Sequence, residues 1–262
     1  MQTLHTITTK QTEILKLLYT YRFLTRPQLQ KLLNHKDKRR ITSWLQDLRN
    51  KQFIDWKYNA DDFIEKTKPA IYFISLGGIR YLRSTENYPS HELKKHYKNK
   101  ACTKGFIEHC LVVADCCLAL REKCAASRQY TWTLPSGYTT LDHSLQDNTA
   151  LLNDLQPHLY FTKQDDTGIT HYVVENIAQT TPRYQVRKRI NQYIDFLAIE
   201  WVSDDPAPIA LFICASKADL IYIKRRVKML LSEIPETPII IRVATIDSLK
   251  ANGITGHIWE EV

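Results

Sequence analysis

Residues 36–51 place the strongest constraint on the fold. Lys36-Asp37-Lys38-Arg39-Arg40-Ile41-Thr42-Ser43-Trp44-Leu45-Gln46-Asp47-Leu48-Arg49-Asn50-Lys51 reads as a short amphipathic helix with a basic start. Ile41, Leu45 and Leu48 recur at spacings of four and three, which puts them on one helical face. Lys38, Arg39, Thr42, Ser43 and Gln46 fall mostly on the other faces. Upstream, residues 25–33 predict a second helix. Thr25 can cap it, and Pro27 falls in its first turn, where a missing N–H costs little. A short helix, a turn and a basic helix make a helix-turn-helix, whose second helix enters the DNA major groove. The competing reading is an ordinary helical hairpin with a solvated charged face.

Charge tips the balance between the two. Residues 1–100 carry 20 Lys and Arg against 9 Asp and Glu, and residues 101–262 carry 16 against 19. A basic N-terminal part on a slightly acidic remainder points to a polyanion-binding module attached to something else. The length of 262 residues suits one or two domains, each with its own core. No run of about 18 apolar residues occurs, so no membrane span is expected. Met1 to Lys10 has no apolar core of the signal-peptide kind, which predicts a cytoplasmic protein. Cys110, Cys117 and Cys124 are seven apart with Cys116 adjoining, and no CxxC pair exists. These thiols are expected in a helical core, reduced and without metal.

Taken in order, Thr8 to Tyr21 predicts a first helix with Ile14, Leu15, Leu17, Leu18 and Tyr21 as its apolar stripe. After the two helices above, Phe53 to Tyr58 and Ala70 to Ser75 read as strands, rich in aromatic and β-branched residues. The polar stretch Asn59 to Pro69 between them would be a wing, and Leu76 to Leu82 opens a closing helix. Three helices, two strands and a helix make a winged helix. Residues 84–104 read as a basic linker, either a solvated connector or a track for a phosphate backbone.

The rest alternates. Helices are predicted at 105–125, 183–201, 217–231 and 246–252, and strands at 130–134, 158–161, 171–177, 209–215, 238–243 and 257–259. Residues 136–154 show no clear element. The nearly all-apolar Ile209 to Ala215 marks a buried central strand. Helices alternating with buried strands imply an α/β sandwich.

Phosphate-cradling motifs (GxxxxGK[ST], GxGxxG) are absent, as are GxSxG and HExxH. A helix, a hairpin, a helix and a further strand is the layout of restriction-type nuclease cores. Such a core needs an acid on one strand and E-x-K or D-x-K on the next, so that carboxylates hold Mg²⁺ and the lysine orients water. Here Pro157-His158 stands where proline-aspartate is expected, and Glu175-Asn176-Ile177 stands where E-x-K is expected. Glu175 with His158 is a poor hard-cation site, and Asp154 substitutes only if the strand register differs. The basic runs Arg183, Arg187, Lys188, Arg189 and Arg225, Arg226, Lys228 read as solvated helix faces, with pairing to Glu175 open to the first.

These segments resemble the replication-relaxation proteins of bacterial plasmids and conjugative elements. Ile71-Tyr72-Phe73-Ile74-Ser75-Leu76-Gly77-Gly78 is similar to the family's Tyr-x-Leu-Thr-x-x-Gly step, and Phe106-Ile107-Glu108-His109-Cys110 to its histidine-bearing helix. Leu155 to Phe161 looks like its Pro-Asp-x-x-Phe strand, Tyr172 to Thr180 like its Glu-x-Asp-x-x-Thr step, and the helix reaching Tyr193 like its Lys-x-x-x-Tyr helix. Glu175, Thr180 and Tyr193 are kept, while His158 and Ile177 depart from the two acidic positions.

The expected fold is α+β with two domains. Residues 1–84 form a winged helix-turn-helix DNA-binding domain, 85–104 a basic linker, and 105–262 an α/β sandwich resembling a restriction-endonuclease-like core, catalytically degenerate. The resemblance implies a DNA-binding protein of a plasmid or mobile element that assists or controls replication, mobilisation or transcription. Lys36, Lys38, Arg39, Arg40, Thr42, Ser43 and Gln46 are the candidate groove contacts, and Lys57, Lys66 and Lys68 the candidate wing contacts. No catalytic residue, metal ligand or cofactor is assigned. The expected partners are double-stranded DNA, a replication or relaxase protein and a second copy of the chain, without a membrane. The alternatives are a metal-dependent nickase using Glu175 and Asp154, and a transcriptional regulator whose C-terminal domain dimerises or docks proteins.

Overall fold

A computed structural model of the chain describes residues 6–59, 61–63, 65–85, 88, 90–127, 129–134, 152–200, 206–234 and 239–262. Two compact units are present, Met1–Leu118 and Ala119–Val262. Among the described residues no helix is long and apolar enough to cross a membrane.

In the first unit, α1 spans Thr9–Tyr21, β1 Leu24–Thr25, α2 Arg26–Leu32 and α3 Lys38–Asn50. Helices α1 and α2 open on the same device. Thr8 and Thr25 accept from the N–H of Gln11 and Gln28, and each glutamine carbonyl accepts the threonine N–H in return. The amide ends of these buried glutamines then tie helices together. Gln11 donates to Asp47 of α3 at 2.5 Å, and Gln28 donates at 2.7 Å to Asp115 and at 3.0 Å to the Leu111 carbonyl. Helices α2 and α3 also end alike. Asn34 (φ 48°) and Gln52 (φ 59°) take left-handed conformations, and the N–H groups of His35 and Phe53 return to the Gln30 and Leu48 carbonyls.

Strands β2 (Ile54–Lys57) and β3 (Ile71–Ile74) pair antiparallel, Ile54 opposite Ile74. The two residues of β1, too short to be expected from the sequence, pair on the other side of β3. Helix α4 (Leu76–Thr85) begins at Leu76 itself. Its start lies so close to the preceding backbone that a Cβ on Gly77 or Gly78 would collide with the Gln52 or Phe53 carbonyl oxygen. Ile14, Leu18, Leu29, Ile41, Leu45 and Leu48 share one core with Ile54, Ile74 and Ile79. This is a winged helix.

Residues 85–104, expected as a linker, carry α5 (Ser90–His96) and a 3₁₀ turn at Asn99–Ala101. Leu93, His96 and Asn99 are buried. Arg22 holds them. It sits in a tight turn with φ 64°, where the Phe23 N–H reaches the Tyr21 carbonyl. Its guanidinium donates to the Lys95 carbonyl at 2.9 Å and to Asn99 at 2.8 Å, and covers the Phe106 ring at 4.6 Å. Phe106 lies on α6, Lys104–Ser127, which contains the division between the units. Cys110, Cys116 and Cys117 are buried, and Cys124 is partly buried. Burial raises the first and third of these thiols to about 12, so they stay protonated.

The second unit is built on a six-stranded mixed sheet whose strands lie in sequence order. β4 (Tyr130–Thr133), β5 (Leu159–Asp165) and β6 (Gly168–Ile177) form an antiparallel meander. α7 (Arg183–Asp195) continues into a π turn at Phe196–Glu200. β7 (Ile209–Cys214) and β8 (Ile241–Thr245) then add parallel to β6, with α8 (Lys217–Leu231) between them. α9 (Ile246–Asn252) leads to β9 (Glu260–Glu261), antiparallel at the edge. All six residues of β7 are buried. The order α6, β4, β5, β6, α7, β7 is the α/β arrangement expected for a nuclease-like core. The featureless stretch 136–154 falls outside the described residues up to 151, and 152–155 are helical.

The last strand lies at 260–261 rather than 257–259 because Gly256 and Ile258 close turns, and Trp259 Nε1 donates to the Ile254 carbonyl at 2.8 Å. Glu260 pairs with Lys224 and Glu261 with Arg242, both at 3.0 Å.

Gly78→Ala should lower stability by about 2 kcal/mol or more, read by thermal melting, since backbone rather than a mobile side chain meets the new methyl. His96 is pushed down to about 4, first by burial and then by Arg22, and its Nδ1 faces the Asn99 amide at 3.2 Å. The unfolded chain therefore takes up a proton near pH 6.5 that the folded chain refuses until about pH 4. Stability should fall as pH falls through that window, by at most about 1.4 kcal/mol per pH unit, and His96→Gln should flatten the dependence of the urea midpoint.

Candidate nucleic-acid interface

α3 faces two ways for a reason visible in its residues. Ile41, Leu45 and Leu48 are at most 1% exposed. Lys36, Lys38, Arg39, Arg40, Thr42, Ser43 and Gln46 are all exposed on the other side or in the turn before it. Asp37 caps the helix, its carboxylate accepting from the N–H of Arg39 at 2.8 Å and of Arg40 at 3.3 Å. That carboxylate is thereby turned onto the helix backbone, and the cations around it project outward. Arg40 lies 5.9 Å from the Trp44 ring and His35 meets the same ring edge-on, which stiffens the turn. All seven expected groove residues thus come together.

The wing residues separate. Lys66 is exposed beside Phe63, 4.6 Å from its ring, and Lys68 is exposed. Lys57 is drawn away, its ammonium donating to the Lys100 carbonyl at 2.9 Å. Phe63, 76% exposed in the β2–β3 connection, is missed by sequence reasoning. Apolar content alone gives no sign of such a residue, because periodicity marks cores and not exposed loop tips. Arg49 is missed as well, although it stacks 3.4 Å over Trp56 and joins α3 to β2.

In the second unit the candidate chemistry sits on the sheet face that α7 covers. Val173, Glu175 and Ile177 alternate toward that face, where Val173 and Ile177 enter the core with Tyr193. Glu175 is buried, and its Oε2 accepts from Arg189 at 2.9 Å and from the Tyr193 hydroxyl at 3.0 Å. Of the first basic run, Arg189 is therefore a half-buried partner of Glu175 and not a solvated face. His158 Nδ1 accepts the Asn176 N–H at 3.0 Å. Burial, and then the charge of Arg189, push His158 down to about 3, so it stays neutral. Burial works against the charge of Arg189, but the hydrogen bond and charge of Glu175 outweigh it and raise its pKa. Asp154 is exposed in the 152–155 turn.

The family described as replication-relaxation matches residues 15–204. The chain belongs to the replication-relaxation family. Two solved structures show a weak likeness. Lactococcus lactis ZitR, as a double mutant, is 16% identical over 47% of this chain and 78% of that one, with a TM-score of 0.27. Restriction endonuclease FokI is 12% identical over 95% of this chain and 45% of its own, with a TM-score of 0.33. No curated protein matches the chain.

A restriction-type core implies a divalent cation, and the residues of this replication-relaxation protein do not fit one. The first acid is a neutral histidine, the lysine is a buried isoleucine, and the one carboxylate already binds a guanidinium. Among the described residues no three His, Cys, Asp or Glu side chains are grouped to hold a metal. Glu175→Gln should leave Arg189 charged without its counter-ion and lower stability by about 3 kcal/mol, measured by urea unfolding.

Proposed function

We propose that this replication-relaxation protein binds double-stranded DNA of a plasmid or mobile element and thereby assists or controls replication, mobilisation or transcription. The observation that carries the reading is the exposed cluster Lys36, Lys38, Arg39, Arg40, Thr42, Ser43 and Gln46 on and before α3, backed by a fully buried apolar stripe. Such a helix can lie in a major groove with its N-terminal residues against base edges. Asp37, the acid among these cations, is engaged by backbone N–H groups, so the surface stays attractive to phosphate. The wing, with Lys66 and Lys68, supports contacts to the backbone, which fix register rather than sequence.

The reading implies a cytoplasmic protein. A replication or relaxase protein is the partner that the family supports, and a second copy of the chain would match a palindromic site. We assign no chemical step to the second unit.

The test is a fluorescence-anisotropy titration of the full chain with an origin fragment. Arg39→Ala with Arg40→Ala should weaken binding by about 1–3 kcal/mol for each side chain that reads a base edge. Lys66→Ala with Lys68→Ala should weaken specific and random DNA alike and make the salt dependence shallower. Unchanged affinity in the Arg39/Arg40 double variant sinks the assignment of α3.

A further inference from the structure

Four oxygen atoms converge on one guanidinium in the second unit, the longest contact being from Arg189 Nη1 to Gln192 Oε1 at 3.3 Å, within the same helix. Arg189 Nη1 donates to the Leu155 carbonyl at 2.6 Å, and Nη2 donates to the Gln156 carbonyl at 2.9 Å and to Glu175 Oε2 at 2.9 Å. The two carbonyls belong to the lead-in to β5, and the carboxylate to the end of β6. One carboxylate and two backbone carbonyls are the donors a hard cation takes. They come from the segment just before β5 and from β6, where the restriction-type layout expects its acids and this chain has His158 and Glu175. Tyr193 steadies the carboxylate through its hydroxyl and lies 4.9 Å under the guanidinium. Gln156 presents its carbonyl from a left-handed backbone, φ 50°.

We infer that Arg189 is the resident cation of this centre, a side chain that fills the place of a divalent ion and makes the domain independent of metal. The guanidinium neutralises Glu175 and clamps residues 155–158 onto β6, where the His158 N–H meets the Val174 carbonyl at 2.9 Å. Ile177 completes the exchange, since its buried side chain leaves no second charge for the site to balance. The same strand ends that hold a metal ion elsewhere are here sealed by an internal salt bridge. This inference is independent of the DNA-binding reading, which concerns the first unit alone.

The full chain tests it by melting in a chelator and then in millimolar Mn²⁺, followed by circular dichroism. Wild type should melt at the same temperature in both. Arg189→Ala should melt roughly 5–10 °C lower in the chelator, because the buried Glu175 loses the cation that balances its charge. Mn²⁺ should restore a good part of that loss, and the restoration should vanish when Glu175→Gln is added. Arg189→Lys keeps the charge without the fork, so it should melt between the two and ignore Mn²⁺. It also serves if the alanine variant does not fold. The inference is overturned if Mn²⁺ stabilises the wild type through Glu175. It is equally overturned if Arg189→Ala melts like wild type, if Mn²⁺ does not restore it, or if Arg189→Lys responds to Mn²⁺.

Discussion

The burial of Ile41, Leu45 and Leu48 is the interaction on which the N-terminal unit turns. A helix whose polar face carries this many cations has little reason to lie against a protein. Three apolar side chains at spacings of four and three supply it, worth roughly 1.5–3 kcal/mol each on full burial. They fix the rotation of α3 about its own axis, and so decide that Arg39, Ser43 and Gln46 look outward. The proposed reading of a groove by this helix rests on that rotation. The left-handed turn at Gln52 then delivers the chain into β2 without loosening the helix end.

The two threonine–glutamine caps show how few residues are needed to join helices in a small unit. Each glutamine commits its carbonyl to its own helix start and its amide to another helix. A glutamate in the same position could complete the cap. It has no N–H to offer to Asp47 or Asp115, and would face them as a like charge. The choice of glutamine over glutamate is thus dictated from outside the helix it starts.

Much of this was legible in the sequence, and the limits have physical causes. Helices α8 and α9 match their sequence ranges residue for residue, because a serine and a threonine cap them before strongly periodic runs. The buried β7 was equally plain, being apolar throughout. β1 was not, since two residues carry no periodicity and owe their conformation to Tyr72 and Ile71 across the ladder. Residues 85–104 looked like a connector because their charge and Pro89 hide three buried positions, Leu93, His96 and Asn99, and the His96 ring stacks on Tyr19 of α1. That the candidate residues of α3 share one exposed face was legible, for helical spacing alone brings them together. Pairing with Glu175 was legible for the basic run as a whole, but not that Arg189 is the member that makes it. What distinguishes it from Arg187 and Lys188 is a carboxylate fourteen positions earlier, brought near by a strand register that spacing does not reveal.

The short final strand has a consequence for assembly. β9 offers only two residues at its margin of the sheet, and both are glutamates already engaged by Lys224 and Arg242. An approaching chain would find almost no free ladder to extend and two carboxylates in the way, which is how sheets resist growing into neighbours. Continuation of the sheet past β9 is therefore a poor route for association between copies of this protein.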